Sequence, residues 1–301
     1  MKQFPFLIPQ RTVLIVGLGL MGSAYARALS DTGYRVLGIT PHREVIEAAL
    51  SDGVIHAGDT EVNADLIQAA DIIVFGLYPT VLLSWLRENT HLIAPSTVLT
   101  DVTGVKGCVV EEIQALLPDG VEYISAHPMA GRELLGNAPL EVYRAATPDM
   151  FRGANYLVVP TDKNTPEAIT LCEQLGHILG FARVTRLSVA EHDRAIAFLS
   201  QLTHAIAVSL MCCTEDEEEV SRLSSLTGDS FRDLTRIAKI NDAMWSELFL
   251  SNRAPLLEQM DTFLERFSEM RAALAEGDAD KMRAMMRRST DNRRAFDRQA
   301  K

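Results

Sequence analysis

Several residues whose types could do chemistry sit in otherwise apolar surroundings. His127 lies in Ser125-Ala126-His127-Pro128-Met129-Ala130-Gly131, directly after a β-branched run ending at Ile124. An imidazole with a pKa near ~6.5 suits a base that removes a hydroxyl proton while hydride leaves the same carbon. A loop histidine can also be a plain hydrogen-bonding group, so support must come from elsewhere. A helix opening at Ser188 is apolar almost all round, yet carries His192, Ser200 and His204 at multiples of four. Buried polar groups are costly unless satisfied, so this stripe either faces a polar ligand or bonds internally. Farther on, Phe231-Arg232-Asp233-Leu234-Thr235-Arg236-Ile237-Ala238 sets Arg232 and Arg236 on one helix face. A guanidinium there could grip a carboxylate through two hydrogen bonds, or simply be solvated. Trp245 could wall a ring pocket or fill a core.

The elements that would position these groups begin with a cofactor loop. Val13 to Val16 reads as a buried strand, and Gly17-Leu18-Gly19-Leu20-Met21-Gly22 turns into a helix from Ser23 to Ser30. This is GxGxxG in the strand-turn-helix setting that brings backbone N–H groups and a helix N-terminus to a pyrophosphate. Gly17, Gly19, Leu20, Met21 and Gly22 are therefore expected to bind a dinucleotide. A second strand, Tyr34 to Thr40, ends about 20 residues later, as the fingerprint requires. NAD sites place an acid at that end for the ribose 2′-hydroxyl, but here Thr40 is followed by Pro41-His42-Arg43. Thr40, His42 and Arg43 accordingly favour NADP over NAD, although Arg43 could also be an ordinary helix-start residue. Tyr78 and Pro79, after a third run, and Asp101 in a fourth are assigned to the cofactor as well.

Seven runs read as strands: TVLIVG, YRVLGIT, DIIVFGL, STVLTDV, VEYISAH, NYLVVP and ARVTRL. They alternate with helical patterns up to Leu187, which implies parallel strands joined by crossover helices. From Ser188 the strand signals vanish; Ser188 and Glu191 have capping-box spacing and open a helix running to about Cys213. Further helices are expected over about Phe231 to Lys239, from Asn241 or Asp242 onward, and after Gly277-Asp278. The predicted fold is a Rossmann-type doubly wound parallel sheet (1–187) followed by an all-helical substrate and dimerisation domain (188–301). The helical part has more apolar positions than about 115 residues need, so a homodimer is expected.

Composition narrows the partners. The 301 residues carry 40 acids against 29 basic residues, a net charge of −11 that argues against nucleic acid and for a small molecule. Glu215 to Glu219 reads as a solvated loop or helix end. No apolar run is expected to reach the ~18 residues of a membrane span, and MKQFPFLIPQ lacks a secretory pattern, so a cytoplasmic protein is expected. Cys108, Cys172, Cys212 and Cys213 show no CxxC spacing, which suggests neither a metal site nor disulfides.

Taken together, the glycine loop, Thr100-Asp101-Val102-Thr103-Gly104-Val105-Lys106, His127 to Gly131, Ser200 with His204, Phe231 to Ala238 and Met244-Trp245 resemble the prephenate and arogenate dehydrogenases over nearly the whole chain. These enzymes of tyrosine biosynthesis oxidise a cyclohexadienol with loss of carbon dioxide. The resemblance implies that His127 is the base or polariser at the ring hydroxyl and Arg236 binds the ring carboxylate. Ser200 and His204 would hold substrate and nicotinamide, with Trp245 beside the ring. Many relatives have a serine where this chain has Gly104, so Thr103 is expected to supply that hydroxyl. Arg132, where relatives carry a small hydroxyl residue, is expected to meet a side-chain carboxylate, which favours prephenate over arogenate. The 3-hydroxyacid dehydrogenases share the GLGxMG loop, but they use a lysine in the first helix of the second domain, and His192 to Cys213 contains none. A non-catalytic NADP sensor would bind cofactor without turnover.

Overall fold

The computed structural model describes residues 10–131, 138–214 and 216–297. Arg132 lies outside them. Eight strands form one sheet: β1 (Thr12–Val16), β2 (Arg35–Ile39), β3 (Ala57–Asp59), β4 (Ile72–Phe75), β5 (Val98–Asp101), β6 (Glu122–Pro128), β7 (Asn155–Val159) and β8 (Arg183–Arg186). Their order is β3-β2-β1-β4-β5-β6-β7-β8, so the chain reverses its direction of travel across the sheet between β1 and β4. Ligands of open α/β sheets bind beyond the carboxyl ends of strands at such a switch point. Helices cover both faces, and β1 and β4 are buried throughout. Val13 and Ile15 enter one core with Tyr25, Ile124 and Tyr156, while Leu14 and Val16 enter the other with Phe75, Leu99 and Tyr123. That alternation follows from the two-residue period of a strand.

All seven expected strands are present. The expectation of a wholly parallel sheet is corrected at one place: β6 and β7 are antiparallel, with His127 opposite Leu157. Because β8 pairs parallel with β7, the last two strands both run opposite to β1–β6, and the sheet ladder is continuous across that one antiparallel junction.

The helices on the sheet are α1 (Leu20–Asp31), α2 (Arg43–Ser51), α3 (Ala64–Gln68), α4 (Pro79–Asn89), α5 (Val110–Leu116), α6 (Pro139–Ala145) and α7 (Pro166–Ile178). Beyond them come α8 (Val189–Ile196), a π-turn (Ala197–Gln201), α9 (Leu202–Met211), α10 (Glu217–Ser224), α11 (Asp229–Thr235) and α12 (Asp242–Ser251). Ser188 caps α8 through the expected box: its hydroxyl accepts from the Glu191 amide at 3.3 Å, and the Glu191 carboxylate accepts from Ser188 N at 2.8 Å. The acidic run enters α10 in its exposed first turn, behind the Asp216 cap.

The chain forms two compact units, one up to Asn252 and one from Arg253. The second contains α13 (Arg253–Glu276) and α14 (Ala279–Arg294), which pack together across Gly277 at φ +69°. The helix expected from Asn241 onward is thus two helices that break at Asn252.

Val189–Met211 is long and apolar enough, by length and composition, to cross a membrane, which corrects the expectation that no run reaches that size. Its interior polar groups have protein partners instead. Asp193 accepts the amides of Lys106 and Gly107, and Gln201 Nε2 donates to Leu248 O at 2.9 Å.

Candidate active site

The glycine loop closes the gap between β1 and β4. Gly17 has φ +95°, and a Cβ there would stand 2.6 Å from Gly76 O; a Cβ on Gly22 would stand 1.9 Å from Gly17 O. Both positions exclude a side chain because backbone meets backbone. At Gly19 an added Cβ would meet nothing within 4 Å, so this glycine keeps space open rather than relieving a clash. Gly19 also caps α1 without a side-chain bond, and the first turn has no acid. The open N-terminus of a 12-residue helix suits an anion, so these residues fit a dinucleotide pyrophosphate. Gly76 leads to Tyr78, which is exposed, and Pro79, which begins α4. At the end of β2, Thr40 is only 3 % exposed, whereas His42 and Arg43 are exposed. Pro41 and Glu44 beside them are exposed as well.

Next to this edge the segment from Thr100 to Lys106 builds a buried charge pair. Lys106 and Asp101 are both 0 % exposed, with Nζ 2.8 Å from Oδ2. The ammonium also donates to Thr103 O at 2.8 Å and Ala126 O at 2.7 Å. Asp101 Oδ2 accepts the Thr103 amide and hydroxyl as well; Oδ1 faces the Ser125 hydroxyl at 2.7 Å, the Tyr123 hydroxyl at 2.9 Å and the Ala126 amide at 3.1 Å. Burial would raise the Asp101 carboxyl, but the Lys106 charge and these hydrogen bonds more than offset it and hold it below the usual carboxylate range. Burial pushes the Lys106 ammonium down against the pull of Asp101.

These bonds change two expectations. Asp101 has no surface left for a cofactor, and the Thr103 hydroxyl is engaged by Asp101, Lys106 and Val105 O. Both are scaffold that ties β5 to the end of β6. Neither is free to touch a ligand, because a buried polar group satisfied on all sides gains nothing by exchanging partners.

What the scaffold positions is His127. A Cβ added at Gly104 would lie 4.0 Å from His127 Cε1 and 3.6 Å from Leu248 of α12, so residue 104, the imidazole and α12 border one space. His127 Nδ1 lies 2.9 Å from His192 Nε2, and His192 Nδ1 lies 2.8 Å from Asp193 Oδ1. Burial, then His192 and Lys106, hold the His127 imidazole well below the ordinary histidine pKa. Burial also lowers His192, against the opposing pull of Asp193. Both rings are therefore neutral near pH 7, the form a general base needs.

The polar stripe on the Ser188 helix owes its alignment to the π-turn. In an unbroken α-helix Ser200 would be turned about 80° from His192. The extra residue in the π-turn takes back up to about 100°, returning Ser200 and His204 to within roughly 40° of His192. His204 Nδ1 donates to Ser200 O at 2.8 Å, and its ring stacks on Trp245 at 3.7 Å between centroids. Trp245 is buried and also meets Phe249 edge-on. Arg236 is exposed in a 3₁₀ turn (Arg236–Ala238) packed against α9. Because α11 ends at Thr235, the expected continuous helical face of Arg232 and Arg236 is broken; Arg232 pairs with Asp229 and donates to Thr227 O. Glu247 joins α12 to the start of α4, accepting from Thr80 N at 2.8 Å and Thr80 Oγ1 at 2.7 Å.

Sequence reading passed over Lys106, Asp193 and Glu247 as individual residues. The signal for the first two was present: each is a charge inside an apolar stretch, Val105 to Val110 and Val189 to Leu202.

Two family models match this chain: the nucleotide-binding domain of prephenate dehydrogenase over residues 25–181 and its dimerization domain over 188–288. The prephenate dehydrogenase of Bacillus subtilis is 30% identical over 288 residues, covering 94% of this chain and 75% of that protein. Among solved structures, A. aeolicus prephenate dehydrogenase in complex with hydroxyphenyl propionate and NAD+ has a TM-score of 0.85 at 22% identity, covering 96% of this chain and 99% of that one. Synechocystis arogenate dehydrogenase has a TM-score of 0.80 at 22% identity, covering 95% and 100%. With one model spanning residues 25–181 and that relative matched over most of both lengths, the chain belongs to the prephenate dehydrogenase family.

Proposed function

We propose that this protein oxidises prephenate to 4-hydroxyphenylpyruvate with loss of carbon dioxide. The observation that carries the reading is the place of His127, at the carboxyl end of β6 beside Gly104 and Leu248 with Nδ1 2.9 Å from His192 Nε2, in a chain of this family. His127 takes the proton of the ring 4-hydroxyl. Bound at the glycine loop, the oxidised nicotinamide supplies the hydride acceptor. Arg236 holds the ring carboxylate until it leaves, and aromatisation makes the step effectively irreversible. Ser200 and His204 orient substrate and nicotinamide; Trp245, stacked on His204, walls the ring. Arg132 meets the pyruvyl carboxylate.

Residues 1–187 form the dinucleotide-binding domain and 188–301 the substrate and dimerisation domain of a cytoplasmic homodimer. Exposed Phe198, Leu199, Leu226 and Leu250 support a covered helical surface. NADP is the preferred cofactor, with His42 and Arg43 at the 2′-phosphate and Leu20, Met21, Tyr78 and Pro79 along the rest of it. Initial rates on prephenate and on arogenate, each with NAD and NADP, test this directly. Prephenate with NADP should give the highest kcat/KM; a strong arogenate preference would replace the substrate, and a strong NAD preference the cofactor.

A further inference from the structure

His127 is the first of three residues joined in line. Asp193 ends the chain of bonds: its carboxylate is fixed by Lys106 N at 2.9 Å on Oδ1 and Gly107 N at 2.7 Å on Oδ2. A Cβ at Gly107 would come within 2.9 Å of Oδ2, so only glycine leaves room for the carboxylate. An ionised carboxylate can only accept. The bond from His192 Nδ1 to Asp193 at 2.8 Å therefore puts the His192 hydrogen on Nδ1. In a neutral ring that leaves His192 Nε2 without one. His127 Nδ1, 2.9 Å away, must then be the donor, and the His127 hydrogen sits on Nδ1. Its other nitrogen, Nε2, is left with a free lone pair.

We propose that His192 and Asp193 are positioning residues that hold His127 in the Nδ1–H tautomer and stabilise its charge after it takes a proton. This rests on the proposed function for its substrate but not for its geometry. As the substrate C–H hydride leaves for nicotinamide, the O–H proton passes to His127 Nε2. The His127 Nδ1 proton can then shift to His192 Nε2, making His192 the cation against the Asp193 carboxylate. The carbinol loses a hydride to the nicotinamide and a proton to the histidine pair; when the ring carboxylate leaves as carbon dioxide, its bonding electrons aromatise the ring and leave a phenolate, which takes that proton back and restores both histidines to their neutral forms. The other charged groups near this pair are Lys106, bonded to Ala126 O behind His127, and Asp101 beyond it; Gly104 and Leu248 are uncharged.

Two variants separate this from simple packing. His192→Leu removes the acceptor for Nδ1–H, whereas His192→Gln offers a carbonyl oxygen that accepts it but cannot take up a proton. In His192→Leu kcat should fall about 100-fold, within the range for losing an oriented base, with cofactor affinity little changed and the melting temperature lowered because Asp193 Oδ1 loses a buried donor. His192→Gln, which keeps the acceptor but blocks the proton shift, should have a kcat between those of His192→Leu and the parent. Nitrogen NMR of the full-length protein without substrate should show His127 protonated at Nδ1 and bare at Nε2, and a tautomer mixture in His192→Leu. A resting His127 protonated at Nε2, or equal kcat in the two variants and the parent, would overturn the proposal. Because the NMR result needs no turnover, failure on prephenate with the expected tautomer would count against the proposed substrate and not against the relay.

Discussion

Replacing Lys106 by methionine should be among the most damaging single changes available to this fold. The ammonium sits at 0 % exposure and spends its three hydrogens on Asp101 Oδ2 and the carbonyls of Thr103 and Ala126. Removing one partner of a buried ion pair costs about 3–5 kcal/mol. Each orphaned carbonyl adds up to ~1–3 kcal/mol, less than additively because all three acceptors share one donor. The amide and hydroxyl bonds that remain on Asp101 soften the loss, so the expected destabilisation is about 4 kcal/mol, a large part of a typical domain's ~5–15 kcal/mol. With a urea m-value of roughly 3 kcal/mol/M the unfolding midpoint should drop by roughly 1–2 M. Lys163→Met, at an exposed lysine in the loop before α7, serves as the control and should change stability by less than about 0.5 kcal/mol. A Lys106→Met midpoint within about 0.3 M of the parent would refute the buried pair as the anchor of β6.

Other outcomes follow from the site geometry. Gly19→Ala should leave the melting temperature of the cofactor-free protein almost unchanged while weakening NAD(P)H binding at least tenfold in a fluorescence titration, because its Cβ enters only the space held open for the ligand. His127→Asn should retain cofactor binding and lose most of kcat. In the parent, the depressed His127 pKa keeps the base neutral as pH falls through ~6.5, so the acid limb of kcat/KM should lie below that value; a limb at or above it would contradict a buried base. Arg236→Ala should raise the substrate KM with a smaller effect on kcat, and an unchanged KM would free this arginine from the ring carboxylate.

Much of this architecture is readable from residue order because the physics is local. Strands such as Thr12–Val16 and Ile72–Phe75 are unbroken apolar runs, and Ser188 with Glu191 announces its own helix. Ala57–Asp59 has no branched or aromatic residue and is only half-buried, so β3 carries no such signal. The reversal of β7 and β8 is equally silent, since pairing direction leaves no mark on alternation. The break at Asn252 is signalled by Pro255 in the first turn of α13, which cannot donate a bond back into α12; its place is fixed by tertiary bonds from the Asn252 amide to Asp193 O at 2.9 Å and Gln201 Oε1 at 2.7 Å, which leave no mark in the sequence. Within the site, His127 and the polar stripe could be singled out by type. Their working relationships could not, because His127 and His192 are brought together by folds of chain 65 residues apart. Asp101 and Thr103 show the converse: residues of the right type in the right motif whose polar atoms are consumed by the scaffold.

The most direct test of the account is a product balance on purified protein with prephenate and NAD(P)+. Reduced cofactor, carbon dioxide and 4-hydroxyphenylpyruvate should appear in equal amounts, and all three should vanish together in His127→Asn. Reduced cofactor without carbon dioxide, or tight cofactor binding with no reduction at all, would contradict it.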